Sequence, residues 1–168
     1  YDPYGHIGTP ATRGLYRPIG INRNCQLAVL QIRPYVDEQH RALQWIALGS
    51  NAFNALVPFF TQVDEVPAYV STTPKDVTTD SFYWANRLIG AMADASYSAC
   101  LPHVERYQEK LQSEAKRLVH ACDAEGGDPA VANQAIADVA RKRTDCLLGH
   151  VLFTRSAEMK NGFSRSDN

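Results

Sequence analysis

The sequence predicts an α+β chain in which antiparallel strands in the first third are followed by three long helices. Three observations carry this expectation. Residues 26–33 and 43–48 are short runs that are apolar on both faces, the pattern of strands in a sheet covered on both sides. Prolines concentrate in the first half, whereas the second half is rich in Ala, Glu, Lys, Arg and Gln, so local preference moves from loop and strand toward helix. Beyond residue 80 the apolar positions recur at spacings of three and four. With 168 residues and 45% hydrophobic content, one domain with a real core is expected.

Residues 1–16 are punctuated by Pro3, Gly5, Gly8, Pro10 and Gly14 and read as a wrapping loop. In the strand at 26–33, Ala28, Leu30 and Ile32 face one way and Leu27 and Val29 the other. The short, charged connection 34–42 suits an antiparallel hairpin with the strand at 43–48. A weaker strand at 19–24 is expected on the other side of 26–33. Residues 51–79 carry Pro58, Pro67 and Pro74 among aromatics, and are expected to pack as an irregular layer. Thr79 or Asp80 caps the first helix, whose inner face holds Phe82, Ala85, Leu88, Ile89, Met92 and Ala93. Pro102 suits the first turn of the second, which buries Val104, Leu111, Ala115, Leu118, Val119 and Cys122 and ends at Gly126-Gly127. Asp128-Pro129 opens the third, which turns Ala132, Ile136, Val139, Leu147 and Val151 inward and stops at Asn161-Gly162. The last two helices form an antiparallel hairpin. Its polar face, Arg106, Glu109, Lys110, Glu114, Lys116 and Arg117, reads as solvated, with a partner helix as the sharper alternative.

Composition removes several function classes. The net charge of −1, without a basic stripe interleaved with aromatics, argues against nucleic acid as a partner. No apolar run reaches the roughly 20 residues needed to cross a bilayer, so no membrane partner and a cytoplasmic location are expected. Cys25, Cys100, Cys122 and Cys146 are dispersed and read as reduced, buried thiols. There is no His-Glu-x-x-His, Walker loop, Gly-x-Gly-x-x-Gly or Gly-x-Ser-x-Gly. The five histidines, His6, His40, His103, His120 and His150, offer no metal-ligand spacing and read as surface or interhelix residues; no cofactor is expected. Ser50 follows a strand and stands open as a nucleophile or, more simply, a turn hydroxyl. Arg17, Asn22, Arg23 and Asn24 are dense in donors, suited either to gripping a carboxylate or to closing a hairpin end by local hydrogen bonds.

Residues 16–34, the block Gln44-Trp45-Ile46-Ala47-Leu48-Gly49-Ser50-Asn51 continuing to Phe59, the block Phe82-Tyr83-Trp84-Ala85-Asn86-Arg87-Leu88-Ile89, and Met159 to Asp167 closely resemble the C-terminal region of the dipeptidase A family of lactic-acid bacteria. Those enzymes are cysteine peptidases of the N-terminal-nucleophile hydrolase superfamily, related to penicillin V acylase and bile salt hydrolase. The resemblance spans nearly the whole chain and about the last third of such an enzyme. It implies an αββα sandwich and a mechanism in which an N-terminal cysteine attacks the peptide carbonyl, with its own α-amino group as base. This chain begins at Tyr1, and its four cysteines are internal, so no residue here takes the nucleophile's role and no catalytic residue is assigned.

The expected function follows: residues 1–168 form a single partial domain, the C-terminal part of a cytoplasmic dipeptidase, inactive alone. Residues 1–50 supply loop and strands, 51–79 the irregular segment and 80–168 the helical layer. Arg17, Arg23 and Asn51 are the candidate contacts to a dipeptide substrate, as polar residues at strand ends within the resembling blocks. Sheet edges exposed in such a piece lead to the expectation of a homo-oligomer. Two rivals stand beside this reading: a non-catalytic helical oligomerisation or interaction module, and an amide hydrolase of the acylase or bile salt hydrolase type.

Overall fold

The computed structural model describes residues 24–160. The expected loop at 1–16, all but the end of the strand at 19–24, and the stop at Asn161-Gly162 therefore lie outside the described residues. Within them the chain is α+β. Strands β1 (Gln26–Ile32), β2 (Ala42–Leu48) and β3 (Val57–Phe60) form an antiparallel sheet in the order β1-β2-β3. Helices α1 (Ala68–Ser71), α2 (Phe82–Asp94), α3 (Tyr97–Glu125) and α4 (Pro129–Ala157) follow.

The hairpin is in the expected place, with Gln26 opposite Leu48 and Ile32 opposite Ala42. The irregular segment is a correction: it contains β3 and the single turn α1. Pro58 conceals the strand in the sequence, yet costs no ladder bond. Thr61 N–H donates to Ala42 O at 3.2 Å, so the alternation of an antiparallel pair makes Gln44/Phe59 and Ile46/Val57 the bonded pairs. Pro58 and Phe60 then turn their backbone groups away from β2, toward the outer edge, where a proline is tolerated. Asn133 of α4 takes that edge: its carboxamide accepts from Phe60 N–H at 2.8 Å and donates to Phe60 O at 3.0 Å. A side chain thus supplies the two bonds of a fourth strand at one residue.

The double covering expected of β1 is not found among the described residues. The helices pack on β2 and β3, and β1 keeps Leu30 at 75% and Ile32 at 67% exposure. Two ties hold the hairpin to the helices. The Arg33 guanidinium, 3% exposed as a residue, meets the Asp123 carboxylate at 2.5 and 3.1 Å, donates to the His40 carbonyl and lies over the Phe60 ring. His40 sits in a short 3-10 turn, is fully buried, and places Nε2 2.8 Å from Gly127 O. Its burial corrects the expectation of a surface or interhelix imidazole.

Helix α2 has Ser81 as its N-cap position in place of the expected Thr79 or Asp80; the Ser81 hydroxyl donates to Thr72 O at 2.9 Å rather than capping the helix. Helix α3 starts five residues before Pro102, which is inside the helix and not in its first turn. The ring is tolerated because Pro102 and Ser98, whose carbonyl loses its partner, are both on the solvent side. Gly126, at φ 60°, terminates α3, and Gly127 N–H returns to Cys122 O at 2.9 Å. Asp128 caps α4 through Ala130 N–H at 2.8 Å, with Pro129 at its start. The pairings Tyr107 with Thr144, Glu114 with Arg143 and His103 with His150 make α3 and α4 antiparallel. Phe60, Phe82, Ile89, Leu111, Ile136 and Leu147 form the fully buried centre between sheet and helices.

Candidate functional site

A polar turn held by several hydrogen bonds lies where β2 ends. Gly49 adopts φ +90°, donates to Cys25 O at 2.9 Å, and turns the chain across α2. A Cβ at Gly49 would stand 2.8 Å from the Asn86 Cβ, so glycine is required by both the backbone angle and the close approach. Ser50 O then accepts from Phe53 N–H at 3.0 Å and Asn54 N–H at 3.2 Å, closing a tight turn. Asn54 returns its carboxamide N–H to Gly49 O at 3.2 Å, and Gln108 of α3 donates to Asn54 O at 2.7 Å. Gly90 lets the loop rest on α2, for a Cβ there would meet Ser50 Oγ at 3.2 Å.

Beneath the turn runs a buried polar column. Asn86, fully buried, donates to Phe82 O at 2.8 Å and accepts from the Tyr107 hydroxyl at 3.3 Å. That hydroxyl is also 3.2 Å from Thr144 Oγ1. Burial pushes the Tyr107 phenol well above the usual tyrosine range, so it stays a neutral donor. The column ties the turn through α2 and α3 to α4, and fixes the loop from below.

Above it opens a cleft of about 200 Å³ lined by Ser50, Ala52, Phe53, Arg87, Gly90, Ala91 and Asp94. Arg87 and Asp94 are seven residues apart on α2, on one face and about 10 Å apart along the axis. Arg87 Nη1 is 3.7 Å from Cys25 Sγ, which brings the entry to β1 to the same place. The cleft therefore offers a cation and an anion at its ends and an apolar wall from Phe53 between them. Among the described residues no histidine lines it, so none of them offers Ser50 an imidazole base, and the turn role of this loop is the one its hydrogen bonds express.

Of the three residues expected to contact substrate, Asn51 lies in this loop, half-buried, while Arg17 and Arg23 fall outside the described residues. Sequence reasoning passed over Arg87 and Asp94. The signal was available: two opposite charges at i and i+7 in an otherwise apolar and small-residue helix. Cys100 and Cys122 are buried as expected, and burial raises both thiol pKa values; Cys25 is half-buried and Cys146 is exposed, which corrects the expectation for the set. Among the described residues no group of three or more His, Cys, Asp or Glu side chains is arranged to hold a metal ion. Nor is any helix among them long and apolar enough to cross a membrane.

A helical layer on an antiparallel sheet, with a cleft at a strand end, is the setting in which the sequence matches fall. Peptidase family C69 matches residues 1–110, and the chain belongs to that family. The chain is 42% identical, over 214 aligned residues, to a dipeptidase of Bifidobacterium longum, covering 99% of this chain and 40% of that protein. It is 44% identical over 172 residues to a probable dipeptidase A of Streptococcus pyogenes, covering 99% of this chain and 36% of the relative. Dipeptidase A of Lactobacillus helveticus is 33% identical over 161 residues, covering 90% of this chain and 34% of the relative. The chain thus spans about two fifths or less of the length of these curated relatives.

Proposed function

We infer that this chain is the C-terminal part of a dipeptidase, and that it furnishes one wall of the site that holds a dipeptide for attack by a cysteine outside the chain. The observation that carries the reading is the 44% identity to a probable dipeptidase A along essentially the entire chain. The attacking group is an N-terminal cysteine whose α-amine serves as base, within an αββα sandwich to which β1–β3 and α2–α4 contribute one sheet segment and one helical layer. Arg17, Arg23 and Asn51 contact the substrate, and the chemistry of the cleft adds Arg87 and Asp94. A free dipeptide is a zwitterion with its charged ends about 7 Å apart when extended. Arg87 and Asp94, which arise from one helix face about 10 Å apart along the axis, present the opposite charges that the two ends of such a zwitterion call for.

The test uses the full-length protein. It is expected to hydrolyse unblocked dipeptides, and to lose this activity when its N-terminal cysteine is alkylated. Arg87→Ala should raise KM about 10- to 100-fold, the loss of one charge-assisted hydrogen bond, while kcat changes little. A full-length protein that cleaves acyl amides but not dipeptides would overturn the substrate assignment. Unchanged kinetics in Arg87→Ala would remove the cleft from the site.

A further inference from the structure

A second cleft lies between α3 and α4, and none of its lining residues belongs to the Arg87 cleft. From α3 it takes His103, Arg106, Tyr107 and Lys110, and from α4 Arg143, Cys146, Leu147 and His150. The positions i, i+3, i+4 and i+7 on each helix bring these side chains onto two facing stripes. His103 and His150 stack across the helix interface with ring centroids 4.9 Å apart and planes 9° from parallel. His103 Nδ1 is buried and has no hydrogen-bond partner.

The charge balance is one-sided. Glu114 also lies on this stripe of α3, one turn beyond Lys110. It is committed to Arg143, which donates to it from both Nε and Nη2, and the contact holds the Glu114 carboxyl below its usual range. Asp145 of α4 is exposed and does not line the cleft. Arg106 and Lys110 have no carboxylate partner among the described residues. Two like charges at i and i+4 on a helix repel unless something neutralises them. The cleft holds about 50 Å³ of free volume, room for a few waters or one tetrahedral anion.

We propose that the α3–α4 cleft is a binding site for a small oxyanion of the phosphate class, with Arg106 and Lys110 as its cationic clamp and the two stacked imidazoles beside them. Unpaired cations and a pocket of anion size converge there, next to an unsatisfied ring nitrogen, and no acidic residue among the described ones lines it. The ligand is inorganic phosphate or the phosphate group of a phosphorylated small molecule, and the two are separated by experiment.

Thermal unfolding of the full-length protein would be followed in phosphate, in glycerol phosphate and in sodium chloride at equal ionic strength. Phosphate or its monoester at about ten times its dissociation constant is expected to raise the midpoint by about 1–2 °C over chloride. A shift with phosphate itself identifies the free anion as sufficient, and one with glycerol phosphate alone identifies the ester. The Arg106→Ala/Lys110→Ala variant should lose the shift. Arg117→Ala/Lys142→Ala removes the same charge from exposed positions outside the cleft and should keep it. No shift with either phosphate, or a shift that survives in Arg106→Ala/Lys110→Ala or vanishes equally in both variants, would overturn the proposal.

Discussion

The edge of β3 gives the sharpest test of how this fold is held. Asn133 is 1% exposed and makes both backbone bonds of Phe60, so Asn133→Ala strands a buried N–H and a buried C=O at once. Each orphaned group costs about 1–3 kcal/mol, giving about 2–6 kcal/mol in total, with a central expectation near 4. Against a typical domain stability of about 5–15 kcal/mol this is a large fraction, but it leaves most such proteins folded. With a urea slope of about 2 kcal/mol per M, the denaturation midpoint should fall by about 2 M. Gln134→Ala, next along α4 and exposed, is the control and should change stability by less than about 0.5 kcal/mol. Asn133→Asp separates acceptor from donor: it can still accept from Phe60 N–H but sets a carboxylate oxygen against Phe60 O. Its folded state therefore favours the protonated acid, and its stability should be highest at low pH and fall as pH rises through the folded-state pKa. If the Asn133→Ala midpoint coincides with that of Gln134→Ala, the argument that a side chain stands in for a strand is wrong.

Three further outcomes follow from other contacts. Gly49→Ala should cost about 1–3 kcal/mol, because alanine is strained at φ +90° and its Cβ meets Asn86, and dipeptide turnover by the full-length protein should fall with it; unchanged melting would refute the close approach. Asp123→Ala should destabilise by about 3–5 kcal/mol, since it leaves the Arg33 guanidinium buried and unpaired. Asp80→Ala, which breaks the exposed pair with Arg141, should cost less than about 1 kcal/mol, and equal effects in chemical denaturation would contradict the burial argument. Burial pushes the Tyr69 phenol up to about 12, so the unfolded chain releases this proton near pH 10 while the folded one retains it. Stability present below pH 10 is lost as pH rises toward 12, by about 1.4 kcal/mol per unit, and Tyr69→Phe should show a shallower decline in the same range.

What the sequence disclosed follows the strength of its periodic signals. The strands at β1 and β2 are bounded runs with turn residues between them, and α2 to α4 repeat their apolar positions over three or more turns, so their type and order were legible. Pro58 hid β3, because the direction of its missing N–H depends on the pairing register, which only the assembled sheet specifies. The early start of α3 was hidden for a related reason: a proline six residues inside a helix is tolerated only when the carbonyl it orphans faces water. In the cleft, Gly49 to Asn51 could be placed at a strand end from the sequence. Arg87 and Asp94 could not be joined to that loop, since their meeting depends on α2 crossing beneath the Gly49 turn, and Gly90 supplies the clearance.

The clasp between Arg33 and Asp123, with His40 against Gly127, has a mechanical consequence. Helices α3 and α4 are each 29 residues long, rods of about 43 Å. Their shared tip is fastened to the bend of the β1–β2 hairpin, so tilting the rods pulls on that bend. Strand β2 runs from that bend to Gly49, where the polypeptide turns over α2, so a single strand joins the far end of the two rods to the cleft.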